Sequence, residues 1–303
     1  MMTPWGYPDF DAHEALHFIH DETSGLRAII ALHSTHIGPA AGGVRFWHYA
    51  DDAEALTDAL RLSRGMSYKN AMAGLPLGGG KAVLLASEDR AKSPELLAAY
   101  GQAVESLCGR YITAEDVGMN VSDMIEVRRQ TRFVAGLPVE GGGVGGDPGP
   151  HTSLGVFLGI KAAAKRALGK DSLAGLHIAL QGAGSVATGV AMLAAAEGAK
   201  LSIAALQVSI VAGGANNQLA TREDGARLYA RGILYAPDYV INAGGIINVS
   251  SEFLGDADTA VVRGKIAAIP GRLDEIWAES ARDGRDPAAV ADMIAQRLIG
   301  RGR

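Results

Sequence analysis

The chain has 303 residues, of which 48% are hydrophobic and 20% are charged, and its formal net charge is −5. This length predicts two domains, each large enough to have its own core. The acidic balance and the absence of a basic cluster argue against a nucleic-acid partner, and no apolar run approaches the length that crosses a bilayer. Cys108 is the only cysteine and the eight histidines show no metal-ligand spacing. We therefore expect no disulfide framework, no metal site and a reducing, cytoplasmic location.

The first 130 residues alternate between strand and helix patterns, which predicts an α/β domain. Strands are expected in three places, at residues 26–33, 83–86 and 111–114. Helices are expected at residues 53–66, from residue 94 onward, and at residues 119–129. Asp51 or Asp52 is the expected N-cap of the first helix, and residues 38–45 are expected to form a loop. Because the residues that carry chemistry stand at strand ends, we expect a ligand cleft there.

Two lysines flank a glycine-rich stretch. Lys69 lies in SYKNA at residues 67–71, and Lys81 follows three glycines in LGGGKAV at residues 77–83. Glycine has no Cβ, so three in a row expose backbone and let a small ligand approach both ammonium groups. The apolar residues that follow place Lys81 where a loop enters a buried strand, and a lysine there loses its proton more easily and can act as a base. The alternative is two ordinary surface lysines beside a flexible turn.

The second half begins with EGGGVGGDPGP at residues 140–150, which predicts a loop or hinge. A helix at residues 153–168 is expected to follow, with Thr152 as its cap. A strand at residues 176–180 then leads through a turn of the form G-x-G-x-x-A into a helix at residues 188–197. The turn comprises Gln181, Gly182, Ala183, Gly184, Ser185, Val186 and Ala187. In this context the glycines and the helix N-terminus predict a site for the pyrophosphate of a nicotinamide dinucleotide.

The second strand of a dinucleotide-binding fold should end in an acidic residue that holds the adenosine ribose. That strand is expected at residues 201–204, but the next carboxylate is Glu223. Another strand pattern follows at residues 208–212, whereas parallel neighbours need a crossover of about a dozen residues or more. Either both segments form one long strand, or the domain has lost sheet units. The sequence therefore predicts a Rossmann-like domain that is truncated after residue 204.

Taken together, the motifs resemble those of the Glu/Leu/Phe/Val dehydrogenases, and the leucine, phenylalanine and valine branch most closely. The matching segments are residues 38–45, 66–84, 113–119, 145–160, 181–187 and 212–249. Such enzymes reversibly convert an L-amino acid to a 2-oxo acid and ammonia while reducing NAD. The resemblance implies a substrate-binding and oligomerisation domain at residues 1–140 and a dinucleotide-binding domain at residues 141–250. It also implies a C-terminal helical segment at residues 251–303 that packs back on the body.

The resemblance implies roles for individual residues of the first domain. Lys69 corresponds to a lysine that binds the substrate carboxylate, and Gly42 and Gly43 to a glycine pair whose backbone lies against the substrate. Lys81 corresponds to the general base and acid, with Asp116 as its carboxylate partner. These residue types suit the reaction, because a carboxylate needs a fixed cation and an attacking water needs a base.

Further implied roles concern the second domain. The resemblance places Thr152 at the nicotinamide end, Asn217 near the cofactor ribose, and Asn242 near the substrate and the nicotinamide. Simpler interpretations stay open, since Asp116 or Thr152 could only cap a helix. Asn242 could be a turn residue with an unusual backbone angle. Asn216 and Asn217 could belong to a loop without any contact to ligands.

The predicted function is NAD-dependent oxidative deamination of a branched-chain or aromatic L-amino acid by a cytoplasmic homo-oligomer. Small molecules are the expected partners, without nucleic acid, membrane or metal. Two alternatives remain open. The absent ribose acid also fits a catalytically impaired family member that acts as a binding or oligomer partner, and the lysine pair alone would suit a dehydrogenase of another small acid. The sequence separates neither leucine, valine and phenylalanine as substrates nor NAD from NADP.

Overall fold

The computed structural model describes residues 3–87, 91–137, 148–182, 184–202, 208–255 and 258–301. The strands in these ranges are β1 Ala15–Asp21, β2 Leu26–Ser34, β3 Ala40–Trp47, β4 Gly78–Leu85, β5 Tyr111–Glu115, β6 His177–Ala179, β7 Lys200–Ser202, β8 Ile210–Val211 and β9 Leu234–Tyr235. The helices are α1 Asp52–Met72, α2 Pro94–Ser106, α3 Val121–Arg128, α4 Gly149–Leu168, α5 Ser185–Ala196, α6 Glu223–Ala230, α7 Asp238–Ile241, α8 Gly244–Phe253, α9 Thr259–Ala267, α10 Ile269–Asp283 and α11 Pro287–Leu298. The α/β class is confirmed. None of these helices is long and apolar enough to span a membrane.

The first half is built on a five-stranded sheet with the order β1-β2-β4-β3-β5. β2 is antiparallel to β1 and β4, whereas β3 is parallel to β4 and β5. Alternate residues of β2 enter different cores: Ile30 and Leu32 belong to the cluster that includes α2, and Ile29 and Ala31 to the cluster that includes α1. Helices therefore cover both faces of the sheet, which explains why β2 reads as a continuous apolar run.

Residues 38–45 contain a strand rather than the expected loop, because β3 covers Ala40–Trp47. Its glycines allow neighbouring backbone to come close. A Cβ on Gly42 would lie only 1.9 Å from the backbone oxygen of Gly80, and one on Gly43 would also clash. The glycine-rich composition that predicts a loop here marks tight packing within a sheet.

The three glycines before Lys81 are part of β4, so Lys81 lies within the strand and not at its entrance. Protein atoms occupy the space that their side chains would need. A Cβ on Gly79 would lie 2.0 Å from the backbone nitrogen of Ser67, and one on Gly80 would lie 2.8 Å from the ring of Tyr111. These glycines therefore let α1 and β5 pack against β4, and the expectation that they expose a surface for a ligand is wrong.

Helix α1 begins after Asp51, whose side chain accepts a hydrogen bond from the backbone nitrogen of Glu54. The predicted N-cap is confirmed. The helix continues beyond residue 66 to Met72, and residues 67–72 are all buried. Lys69 therefore lies in the last turn of α1. Apolar spacing does not predict this last turn as part of the helix, because most of its buried side chains are polar.

The described residues of the second half form two small parallel sheets, in which β6 pairs with β7 and β8 pairs with β9. The expectation of one long strand through residues 201–212 is wrong, since β7 and β8 belong to different sheets. Residues 203–207, where the truncation is expected, lie outside the described residues. The same holds for residues 138–147, which include most of the predicted hinge and the expected boundary between the two domains.

The C-terminal stretch forms two long helices that turn back toward the first half. Gly284 ends α10 in a left-handed conformation with φ 64°, and the side chain of Asp286 caps α11. The predicted C-terminal helical segment is therefore not continuous, since a short turn separates α10 from α11. α11 packs against α1, where the amide of Gln296 donates a hydrogen bond to the hydroxyl oxygen of Tyr68.

Arg301 connects the end of the chain to its beginning. Its guanidinium donates hydrogen bonds to the backbone oxygens of Asp11, Ala12 and His33. The same group lies 2.7 Å from Nε2 of His33, whose Nδ1 lies 2.8 Å from the hydroxyl oxygen of Ser67. His33 is fully buried, and burial lowers its pKa. This polar cluster supports the turn of α1 that carries Lys69.

Candidate active site

Lys81 and Asp116 meet across β3. Lys81 lies on β4, Asp116 follows β5 directly, and β3 runs between these strands. The Lys81 ammonium donates a hydrogen bond to Oδ2 of Asp116. Gly43 makes this approach possible, because a Cβ there would lie 2.8 Å from the Cβ of Asp116. The side chains of Lys81 and Asp116 are 5% and 20% exposed, so a lysine–carboxylate pair lies largely shielded from water.

The carboxyl group of Asp116 is held in its ionised form. Burial raises its pKa, but the Lys81 ammonium and the Arg45 guanidinium outweigh burial, so that the pKa lies below its ordinary value. The simpler interpretation, that Asp116 caps the next helix, is wrong. α3 begins after Asn120, which forms a capping box with Asp123.

Lys69 is the second buried cation of this region, with 9% of its surface exposed. Its ammonium donates a hydrogen bond of 3.0 Å to Oδ1 of Asn216. Burial lowers the pKa of Lys69 to about 8; the nearby Lys81 charge acts in the same direction, and Asp238 opposes it. The alternative of two surface lysines is wrong, since Lys81 is only 4% exposed. An ammonium with one amide partner remains able to bind a carboxylate.

Asn242 and Asn216 connect the second half of the chain to Lys69. The amide nitrogen of Asn242 donates to Oδ1 of Asn216 at 2.9 Å and to the backbone oxygen of Gly214 at 3.2 Å. Asn242 has φ −89°, so the interpretation as a turn residue with an unusual backbone angle is wrong. Its own Oδ1 is buried and has no hydrogen-bond partner within the part of the chain that the structure describes. This acceptor is available to an N–H group of a ligand.

Asn216, which sequence reasoning leaves among the loop residues, is the asparagine that contacts Lys69. Its neighbour Asn217 is exposed and has φ 55°, which is left-handed backbone. Asparagine tolerates this conformation better than most residues. The only signal in the sequence is the pair of asparagines after two glycines, and it does not indicate which one faces the cleft.

Thr152 lies inside α4 and is not its N-cap. The helix begins at Gly149 with Pro148 before it, and the Thr152 hydroxyl donates a hydrogen bond of 2.9 Å to the backbone oxygen of Pro148. A Cβ on Gly245 would lie 2.7 Å from the Thr152 hydroxyl oxygen. The hydroxyl therefore lies against the start of α8, close to the segment that carries Asn242.

The glycine-rich turn connects β6 to α5. Gly182 has φ 93°, Gly184 is the N-cap of α5, and a Cβ on either would meet nothing within 4 Å. Ala183 lies outside the described residues, and Gln181 is exposed. The first turn of α5 is formed by Ser185, Val186 and Ala187. An exposed N-terminus of a 12-residue helix favours an anion, and the open space at the glycines fits the pyrophosphate of a dinucleotide.

A narrow apolar pocket lies next to Gly42, between the sheet and α8. Its lining residues are Ala41, Gly42, Leu77, Ile112, Ala114, Ala135, Ile246, Val249, Ser250 and Phe253. The cavity measures about 10 Å³, which is room for about one water molecule. Within the described residues no group of three or more His, Cys, Asp or Glu side chains could hold a metal ion. The pocket suits an apolar group, and a larger side chain would enter only as α8 moves away from the sheet.

A buried lysine held against a carboxylate, with a dinucleotide-type turn in the second half of the chain, is the arrangement expected of an amino acid dehydrogenase. Residues 13–133 match the model of the Glu/Leu/Phe/Val dehydrogenase dimerisation domain. The chain is 41% identical to leucine dehydrogenase of Bacillus subtilis, over 96% of this chain and 92% of that protein. It is 40% identical to valine dehydrogenase of Streptomyces albus, over 98% of this chain and 95% of that protein. The chain therefore belongs to the Glu/Leu/Phe/Val dehydrogenase family, which confirms the resemblance seen in its motifs.

A solved structure agrees with this assignment. L-tryptophan dehydrogenase from Nostoc punctiforme matches with a TM-score of 0.80 and 36% identity, over 95% of this chain and 96% of that chain. The sequence match to the Bacillus subtilis enzyme extends over 339 positions, whereas 96% of 303 residues is about 291. The alignment is therefore longer than the aligned part of this chain by 339 less 291 positions. About 48 positions of the relative have no counterpart in this chain.

Proposed function

We propose that this protein catalyses the reversible NAD-dependent oxidative deamination of a branched-chain or aromatic L-amino acid to the 2-oxo acid and ammonia. The observation that carries the proposal is the buried hydrogen bond between Lys81 and Asp116 in the same region as the buried cation of Lys69. The names of the related leucine, valine and tryptophan dehydrogenases support this substrate class. The apolar pocket beside Gly42 supports a substrate with an apolar side chain.

The substrate carboxylate binds to Lys69 in this proposal. The side-chain amide oxygen of Asn216, which accepts a hydrogen bond from Lys69, is a planar oxygen acceptor, as a carboxylate oxygen also is. The backbone of Gly42 and Gly43 lies against the substrate, and its side chain enters the adjacent pocket. The unpartnered Oδ1 of Asn242 accepts a hydrogen bond from an N–H group of the substrate or of the nicotinamide.

Lys81 and Asp116 carry out the proton transfers of the reaction. NAD, when bound, supplies the acceptor for the hydride that leaves Cα of the amino acid. Lys81 in its neutral form takes a proton from the water molecule that attacks this carbon. Asp116 holds the lysine in place by their hydrogen bond and exchanges a proton with the departing amine. The low exposure of both side chains keeps bulk water away from the proton transfers.

The cofactor lies against the second half of the chain in this proposal. The pyrophosphate binds to the turn of residues 181–187 at the N-terminus of α5. Thr152 contacts the nicotinamide end, and Asn217 lies near the ribose. The exposed helix N-terminus and the open space beside Gly182 and Gly184 support the place of the pyrophosphate.

The proposed organisation follows the same domains. Residues 1–140 form the substrate-binding and oligomerisation domain, and the description of the matching family model as a dimerisation domain supports a homo-oligomer. Residues 141–250 form a dinucleotide-binding domain that is shortened after residue 204, and residues 251–303 pack back on the body. The contact between α11 and α1 supports this last point. The free thiol of Cys108 is exposed, which suits a reducing cytoplasm.

A second candidate function is that of an impaired family member that acts as a binding or oligomer partner. Two observations favour it. About 48 positions of the Bacillus subtilis relative have no counterpart here, and the short strands β7 and β8 pair in separate sheets. A domain without its ribose-binding acid would hold NAD weakly.

Oxidation of NADH in the reverse direction tests the two candidates. The assay contains purified protein, NADH and 4-methyl-2-oxopentanoate, with and without ammonium. Oxidation that requires ammonium supports an amino acid dehydrogenase, whereas oxidation without ammonium would indicate a dehydrogenase of another small acid. A folded protein without turnover, and without binding of NADH in a fluorescence titration, would leave the impaired partner as the function.

A further inference from the structure

Arg45, on β3, is a second cation beside Asp116. Its Nε lies 3.8 Å from Oδ2 of Asp116, the oxygen that also accepts the hydrogen bond from Lys81. The other end of the guanidinium donates a hydrogen bond of 2.8 Å to Oδ2 of Asp58. The hydroxyl of Tyr49 donates to this same oxygen of Asp58 at 2.7 Å. Asp58 and Tyr49 therefore fix the orientation of Arg45.

The Nε of Arg45 is buried and is left without a hydrogen bond within the described residues. Buried donors without partners are uncommon because they cost free energy. A distance of 3.8 Å to Asp116 is too long for a hydrogen bond. A shift of the carboxylate by about 1 Å would bring it to about 2.9 Å and satisfy this donor.

We propose that Arg45 is a positioning residue that holds Asp116 as a carboxylate in the part of the cycle in which Lys81 is neutral. This inference rests on the proposed function, since a base that alternates between ammonium and amine leaves its carboxylate without a cation in one of the two forms. A largely buried carboxylate beside a neutral amine would be costly. Arginine stays charged at every accessible pH, so its attraction to Asp116 persists through the cycle.

Several charged or titratable groups act on Asp116 or feel its charge. They come from β3, the segment after it, β4, α1 and β5, and they are Arg45, Tyr49, Lys81, Lys69 and Tyr111. Asp58, on α1, acts on Arg45 from the other end of the guanidinium. Lys81 and Arg45 are the cations whose attraction lowers the pKa of Asp116. Asp58 draws Arg45 toward itself, so the two carboxylates compete for one guanidinium.

Carboxyl titration in the absence of the lysine tests this inference without an activity assay. Lys81→Met reproduces the uncharged state of the base, and ¹³C labelling of aspartate carboxyl groups lets NMR follow them, with Asp116→Asn to assign the signal. Asp116 should remain ionised at neutral pH in the Lys81→Met chain. Its midpoint should rise by at least about one pH unit when Arg45→Met is added. Equal midpoints in the two chains would overturn the proposal.

Asp58→Asn provides a test of opposite sign, which also serves if Arg45→Met fails to fold. Loss of the competing carboxylate should lower the Asp116 midpoint in the Lys81→Met chain, and an unchanged or raised midpoint would overturn the proposal. In chains that keep Lys81, Arg45→Met should move the acidic limb of kcat/KM to higher pH, and Asp58→Asn should not. A purely structural role would reduce activity in both variants without moving the limb. The NMR midpoints decide this inference separately from dehydrogenase activity.

Discussion

The ammonium group of Lys69 is nearly enclosed by protein, and burial lowers its pKa to about 8. In the proposed function this group binds the substrate carboxylate, and only its charged form can do so. Affinity for a carboxylate should therefore fall as pH rises through about 8. An ordinary lysine, with a pKa near 10.5, would remain charged over the same range.

The size of the effect follows from the fraction of charged Lys69 in the free protein. With a pKa of about 8, roughly nine tenths of the molecules carry the charge at pH 7 and roughly one tenth at pH 9. The dissociation constant of a carboxylate ligand should increase about tenfold between these values, which corresponds to about 1.4 kcal/mol. With an unshifted lysine, the constant would change by only a few per cent.

Isothermal titration calorimetry with 4-methylpentanoate measures this constant, because the ligand has no other group that titrates between pH 7 and pH 9. Titrations with and without NADH separate the contribution of the cofactor. Lys69→Arg is the matched control, since a guanidinium keeps its charge and should give a flat profile. A flat profile in the unmodified protein, or the same slope in Lys69→Arg, would refute the reasoning.

Three further predictions concern stability, and chemical denaturation measures each of them as a free energy of unfolding. Burial lowers the pKa of His13 to about 4, so the unfolded chain takes up a proton below pH 6.5 that the folded chain excludes. Between pH 6.5 and pH 4 the protein should lose about 3 kcal/mol that His13→Asn does not lose. Gly79→Ala should cost about 3 kcal/mol or more, whereas Gly65→Ala, with nothing within 4 Å of the added Cβ, should stabilise α1 by about 0.5–1 kcal/mol. Arg301→Ala should cost about 2 kcal/mol or more, and Arg297→Ala, which loses a partly exposed ion pair, less than about 1 kcal/mol.

Each of these predictions has a result that would contradict it. Parallel pH profiles for the unmodified protein and His13→Asn would show that the histidine titrates normally in the fold. Equal effects of alanine at Gly79 and Gly65 would show that β4 can move away from α1. Equal effects at Arg301 and Arg297 would show that the contacts of Arg301 with the N-terminal segment contribute little.

Sequence patterns predict the structure best where a residue follows a strand or caps a helix. The N-cap Asp51, the start of α2 at Pro94 and the strand before Asp116 are all visible in the sequence, because local polarity and apolar spacing define them. Strand β3 and the start of β4 are not visible, since glycines disfavour a strand in isolation. Glycine is required in these strands because of neighbours that are distant in the sequence, such as the backbone of Ser67, which packs directly against Gly79.

The site shows the same division. Lys69 and Lys81 stand out because lysines are rare inside apolar or glycine-rich segments. The sequence could not identify Asn216 as a site residue, because its partner Lys69 is 147 residues away along the chain. The role of Arg45 depends on α1 and β5 bringing Asp58 and Asp116 to the same guanidinium. The spacing of these residues along the chain does not predict that the two carboxylates contact one guanidinium.

The formation of NADH by the purified protein tests the central claim most directly. Leucine, valine, isoleucine and phenylalanine are each supplied with NAD, beside a Lys81→Ala variant that is shown to be folded. We predict turnover with at least one of these amino acids and a loss of about a hundredfold or more in the variant. A folded, unmodified protein that neither binds NAD nor turns over any of the four would contradict the assignment as an active amino acid dehydrogenase.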